Sequence, residues 1–224
     1  MRFASIVGHE EYGKNSVAFG TIIQTLVRPF KGAWTKITRI CYSTTGTAHT
    51  LTIRKSIGKT TLAANAAAAQ AVIVLAATPG FTINGTFTAN RAVAGNDYLV
   101  VERVDATCGR TTYDLYKVSS VSGLSITLTG NVVGALAKGA QVWLMSLDTD
   151  KIPGATNNPT NPKFTTAATA AYANVPPIFA EDMGVASTVG QEEPMIIESN
   201  NATATGTLEF AEAIGVIFAR PNER

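Results

Sequence analysis

The chain reads as all-β: a small antiparallel barrel inserted into an outer antiparallel sandwich, with extended arms. Three observations predict this. Short apolar runs alternate with polar residues at a period of two and are separated by Gly, Asn and Pro. Helical periodicity is scarce along the 224 residues. The composition, 46% hydrophobic and 15% charged with many Thr, Ser, Ala and Gly, suits strands that bury further surface in an assembly.

Residues 1–32 are read as an N-terminal arm and first strand, with "SVAFGTIIQTLVRPF" ending near Pro29. Residues 33–59 and 180–224 are assigned to the outer sandwich. In the first of these, "WTKITRICYSTTGTAHTLTIRKS" predicts a hairpin around "STTGTA". In the second, Met195 to Glu198 and the alternating run around Leu208 and Phe210 predict strands that pair with that hairpin.

Residues 60–147 are read as the inserted barrel. "AVIVLA", "FTINGTF", "DYLVVERVD", "TYDLYKVSSV", "LSITLTG" and "QVWLMSL" are strand runs, divided by Pro79-Gly80, Asn84-Gly85, Gly95-Asn96-Asp97, Ser122-Gly123, Gly130-Asn131 and Gly139. In "SSVSGLSITLTG", Leu124, Ile126 and Leu128 take one face and Ser125, Thr127 and Thr129 the other. The stretch 148–179 is rich in Pro, Asn, Thr and Ala without periodicity, and is read as an extended connection lying across a neighbour.

One segment imitates a nucleotide site. "RKSIGKTTLAANAAAA", residues 54–69, contains the Gly58-Lys59-Thr60 of a phosphate loop, whose backbone N–H groups converge on phosphate only where glycines leave room. The pattern demands glycine at the position held by Ile53, and the alternative double-glycine positions hold Lys55 and Ser56. The preceding "AHTLTIR" alternates like a strand with one wet face, unlike the doubly buried strand before such a loop. Asp148 after "VWLMSL" is no better as a metal-binding acid, since an apolar run before Asp is common in β-proteins.

No other constellation suggests a reaction, so neither enzyme activity nor a cofactor is expected. His9 and His49 have neither a nucleophile elbow nor metal-ligand spacing around them, and His49 reads as an ordinary strand residue. Glu192 and Glu193 are adjacent and point to opposite faces; Asp148 and Asp150 open the polar connection, and both pairs read as solvated. Cys41 and Cys108 are far apart and read as buried free thiols, so no metal is expected.

The segment 62–81 has about the length of a bilayer span, but Asn65, Gln70, the many alanines and Pro79-Gly80 exclude that reading. It is expected instead as a short Ala-rich helix or extended arm followed by a buried strand. The start "MRFASIVGHEEYG" lacks a long apolar stretch, which predicts synthesis in the cytoplasm.

Net charge is +2 and unevenly spread. No acidic residue occurs between Gly13 and Asn96, a stretch that contains Lys14, Arg28, Lys31, Lys36, Arg39, Arg54, Lys55, Lys59 and Arg91. Glu181, Asp182, Glu192, Glu193, Glu198, Glu209 and Glu212 reverse the balance before Arg220. Such asymmetry favours docking between regions or subunits, against the simpler reading of scattered solvated charges. The basic residues are not interleaved with aromatic residues, so nucleic acid is not an expected partner.

The succession "STTGTAHTLTIRKS", "TTLAANAAAAQAVIVLAATPG", "AGNDYLVVE", "KVSSVSGLSITLTG", "AKGAQVWLMS" and "EPMIIESNNATATGTLEF" resembles the β-rich decoration, or cement, proteins of tailed-bacteriophage capsids. The likeness runs from Trp34 onward and is one of texture and strand order. It implies a jelly-roll-like sandwich carrying the inserted barrel, a homotrimer, a place on the virion surface, and the major capsid protein as partner. Arg28, Lys31, Lys36, Arg54, Lys55 and Lys59 are then the expected capsid or subunit contacts, facing acidic capsid surface. The alternative is a tail or fibre module that binds a host carbohydrate through the rings of Trp34, Trp143, Tyr113 and Tyr116, against which stands their ordinary use as core.

Overall fold

The structure, a computed structural model, describes residues 6–11, 17–18, 23–27, 33–45, 49–83, 86–89, 91–147, 150, 163–166, 173–175, 178–179, 194–199 and 205–217. Among these the regular elements are all strands, and every pairing given below is antiparallel. The fold class is all-β.

In chain order the strands are β1 (Ile6–Glu11), β2 (Val17–Ala18), β3 (Ile23–Val27), β4 (Ala33–Thr45), β5 (His49–Thr61) and β6 (Val72–Val74). There follow β7 (Gly80–Ile83), β8 (Thr86–Ala89), β9 (Tyr98–Val104), β10 (Thr111–Ser122), β11 (Ser125–Leu128) and β12 (Gln141–Met145). The last are β13 (Lys163–Thr166), β14 (Ala173–Val175), β15 (Ile178–Phe179), β16 (Met195–Ser199) and β17 (Thr205–Ile217). The chain divides into two compact units, one of residues 1–53, 162–193 and 197–224, the other of residues 54–161 and 194–196.

In the first unit a six-stranded sheet has the order β1-β17-β4-β14, with β15 also on β4 and β2 also on β17. The expected hairpin of β4 and β5 does not form. Both edges of β4 are taken, by β17 along Ala33 to Thr45 and by β14 and β15 on the other side, so β5 pairs in a different sheet. The closing strands do find these two as partners: β17 lies along β4, and β16 is the hydrogen-bonded neighbour of β5.

The N-terminal stretch was expected as an arm, yet its described strands are joined to this chain, β1 pairing β17 from Ile6↔Ile217 to Glu11↔Glu212. The 148–179 connection likewise carries three short strands, with β13 on β5 and β14 and β15 on β4. Weak hydrophobic alternation hides such short edge strands, whose pairing is held by backbone hydrogen bonds.

The second unit contains a closed ring of strands: β5-β12-β9-β10-β11-β6, shut by the bridge Leu62↔Leu75 at the end of β5. Ala63 N–H donates to the Val74 carbonyl and Ala76 N–H to the Thr61 carbonyl, both at 2.8 Å, so the closing seam is hydrogen-bonded on each side of the bridge. An even number of strands lets every neighbour be antiparallel, and closure removes the open edge on which β-proteins aggregate. β10 pairs β9 from Thr111 to Lys117 and β11 from Val118 to Ser122, with an irregularity between Val118 and Ser120. That stagger and bulge give the strand the bend a small barrel requires.

Register fixes the interior. Ile73 opposes Ile126, Leu99 opposes Leu144, and Val101 opposes Val142, and all six are buried. Removing each such side chain from water contributes about 1.5–3 kcal/mol. On β11 the outer residues are half-exposed, which is why its sequence alternates cleanly. On β9 and β12 the outer face is buried too, including Tyr98, Val100, Trp143 and Met145, so "YLVV" and "VWLM" read as unbroken apolar runs.

The Ala-rich segment is not helical. Leu62 and Ala66 are pinned by bridges to Leu75 and Leu136, and β6 is buried only at its central Ile73, with Val72 and Val74 facing water. The run "FTINGTF" is two strands, β7 and β8, paired as a hairpin with Ile83 opposite Thr86.

Candidate functional site

Of the residues expected to meet a capsid or a second subunit, only Arg54, Lys55 and Lys59 have described side chains. Arg28 and Lys31 lie outside the described residues, and Lys36 is placed in β4 opposite Ala213. Arg54 and Lys55 are 9% and 1% exposed, so neither is presented to a partner as expected. The Arg54 Nη1 donates to the Ser146 carbonyl at 3.0 Å, while Ser146 N–H donates to the Lys55 carbonyl at 2.7 Å. Both residues therefore tie the entering strand β5 to the end of β12. A charged residue in a strand signals a wet face only if nothing packs over it, and that depends on partners distant in sequence. Of the three β5 cations, Lys59 alone is exposed.

Gly58-Lys59-Thr60 is extended strand, opposite Leu144, Trp143 and Val142 of β12. A phosphate loop curls its N–H groups onto a ligand, whereas here the backbone is committed to a sheet.

Among the described residues a charged cluster forms around Arg91, one of the nine basic residues of the acid-free stretch. Its guanidinium joins two carboxylates: Nη1 and Nη2 donate to Asp97 at 2.6 and 2.9 Å, and Nε and Nη2 donate to Asp150 at 2.5 and 3.0 Å. Asp97 also accepts from Ala94 N–H at 2.7 Å, and Asp150 from Leu147 N–H at 2.6 Å. Asp97 and Asp150 are buried, while the Arg91 side chain keeps 25% exposure. Burial opposes the Arg91 charge, but the two carboxylates outweigh it and hold its pKa above the usual arginine range. The cluster fastens the turn before β9 to the chain leaving β12. Its sequence signal was the turn "AGND", whose Asp97 lies six residues after Arg91; the Asp150 partner, 59 residues away, had none.

A second cluster spans β9 and β10. Arg103 Nε donates to Asp114 at 2.6 Å, with Asp105 at 3.9 Å, and the hydrogen bond to Asp114 chiefly raises the Arg103 pKa. Tyr116 donates through its hydroxyl to Asp114 at 3.3 Å and accepts from Val133 N–H at 3.3 Å. Burial pushes the Tyr116 phenol up to about 12. At the β9–β10 turn, Asp105 accepts from Thr107 N–H at 2.7 Å and Cys108 N–H at 3.3 Å, bonds that lower its pKa. Cys108, expected to be buried, is exposed on that turn.

Of the aromatic residues considered for a carbohydrate, Trp143 and Tyr116 are buried, and Tyr113 meets Trp143 edge-on with ring centroids 5.9 Å apart. Stacking on a sugar needs an open ring face, which neither Trp143 nor Tyr116 offers. Trp34 has only its backbone placed, in β4 opposite Gly215. Buried without a hydrogen-bond partner are Trp143 Nε1 and Ser56 Oγ. Among the described residues, no three His, Cys, Asp or Glu side chains group so as to hold a metal ion.

No family model matches this chain. No curated protein matches it either.

Proposed function

We propose that this chain is a structural protein of a tailed-phage particle, a decoration protein that binds the major capsid protein and stabilises the capsid lattice. The observation that carries the reading is how the barrel uses its charge. Arg91, Asp97, Asp150, Arg103 and Asp114 are engaged with one another and with their own loops, which stiffens the barrel and leaves its shape to do the binding. A stiff body loses little conformational freedom when it docks, and modest contacts repeated over a lattice add up to firm attachment.

In this reading the outer strands form a jelly-roll-like sandwich, the molecule works as a trimer on the virion surface, and neither cofactor nor nucleic acid takes part. Of the three basic contacts on β5, Lys59 is the exposed one, able to meet acidic capsid surface. The competing carbohydrate-binding reading loses two of its aromatic candidates to the core. Sedimenting the purified protein with shells assembled from the capsid protein of the same genome, beside a glycan array, separates the two. Pelleting with shells and a blank array supports decoration; the reverse result refutes it.

A further inference from the structure

The charges of the barrel are sorted by sign. Among its described residues no carboxylate is exposed, and each is engaged within the barrel. Asp97 and Asp150 are buried on Arg91, and Asp114 accepts from Arg103 and from the Tyr116 hydroxyl. Asp105 accepts from Thr107 and Cys108 N–H, and Glu102 accepts from Gln141 N–H at 3.1 Å.

The exposed charged side chains among those residues are all cations: Lys59 on β5, Arg110 at the β9–β10 turn, Lys117 on β10 and Lys138 shortly before β12. Register turns Lys59 and Lys117 outward. Lys59 opposes Trp143 and Lys117 opposes Tyr98, both on the outer face of the barrel, and Lys117 Nζ stands 5.9 Å from the centre of the Tyr98 ring. Arg110 and Lys138 lie where β9 ends and β12 begins, the end at which Gln141 meets Glu102.

A surface meant only for water normally intersperses both signs of charge. Here the negative half of that mixture is withdrawn. A carboxylate that accepts hydrogen bonds from its own fold is fixed in place and its field is offset by the donors, whereas the exposed cations stay at the ends of flexible apolar stems. The field that reaches outward is positive.

We infer that the barrel is the part of the chain that meets the capsid protein, with Lys59, Arg110, Lys117 and Lys138 paired to carboxylates on that protein's surface. This rests on the decoration reading and extends it, since Arg110, Lys117 and Lys138 lie outside the acid-free stretch that the sequence singles out. A field of one sign favours an acidic partner. The barrel of a second copy would bring the same four cations and be repelled. Single-stranded nucleic acid needs open rings for stacking, and Tyr98, Tyr116 and Trp143 are buried.

The test is sedimentation of the full chain with shells assembled from the capsid protein of the same genome, at low and at high salt. K59E/R110E/K117E/K138E, changed only at exposed positions, is expected to bind about tenfold more weakly or worse at low salt. K59R/R110K/K117R/K138R, which keeps every charge, is expected to bind as the wild type does. Wild-type binding is expected to weaken as salt rises. Should the reversed variant fail to fold, K117E/K138E and the salt series decide in its place. A wild type that never pellets with shells refutes the decoration reading and this inference with it. A wild type that pellets, but is matched by the reversed variant or is indifferent to salt, overturns the inference alone. So does retention on duplex DNA without binding to shells.

Discussion

Gly58 faces Gly80 so closely that a Cβ on Gly58 would lie 2.8 Å from the Gly80 nitrogen and 2.8 Å from the Pro79 carbonyl carbon. The glycine that suggests a phosphate loop is thus required for backbone approach between β5 and the segment entering β7, where Lys59 pairs Gly80.

Gly58→Ala is expected to destabilise the protein by about 1–3 kcal/mol, because backbone rather than a flexible side chain must give way. Lys59→Ala, at an exposed position, should stay within about 0.5 kcal/mol. Denaturant unfolding of both variants checks the contrast, and equal effects would contradict the packing.

Replacing Arg91 by Leu leaves Asp97 and Asp150 buried without their cation. Breaking a fully buried pair costs about 3–5 kcal/mol, and the partial exposure of Arg91 brings the expected loss to about 2–3 kcal/mol. Arg91→Lys should recover little of it, since a single ammonium cannot reproduce the fork that serves both carboxylates. Thermal unfolding of the two variants is the check.

Tyr116 makes stability fall in strong alkali. Its folded pKa, about 12, lies above the ordinary tyrosine value of 10, so the folded state keeps the proton that the unfolded state releases. This contribution is complete below pH 10 and disappears as pH rises through about 12. Phenolate absorbance should contain a late-ionising component, and Tyr116→Phe should reduce it by one tyrosine.

At the β9–β10 turn the sign is opposite. The Asp105 pKa is lowered by N–H donation from Thr107 and Cys108, so its contribution is present above the ordinary carboxylate range and lost as pH falls through the lowered value. The protection of the Thr107 and Cys108 amides, relative to their intrinsic exchange rates, should fall in Asp105→Ala at neutral pH and change little more on acidification. Unaltered exchange would show that the carboxylate does not hold the turn.

Five of the six ring strands, β6, β9, β10, β11 and β12, were legible because each carries its own signal: β-branched alternation in "LSITLTG", and turn residues such as Ser122-Gly123, where Gly123 takes φ +60°; the sixth, β5, was read into the outer sandwich, and "FTINGTF" forms the β7–β8 hairpin off the ring. Features fixed by distant partners were not legible. Nothing near β4 says that β17 will occupy the edge the hairpin needed, and nothing near β6 says that Leu75 will meet Leu62 and close the ring. Arg54 and Lys55 misled for the same reason, because a cation in an alternating strand looks solvated until its covering partner is known. Arg91 was half visible: Asp97 lies one turn away, Asp150 across the whole barrel sequence.

Capsid stabilisation is tested most directly by heating shells of the major capsid protein with and without this protein bound, and recording the temperature at which they break. Saturating binding together with a higher disruption temperature is the expected result. Shells that pellet without the protein and break at an unchanged temperature would contradict the account.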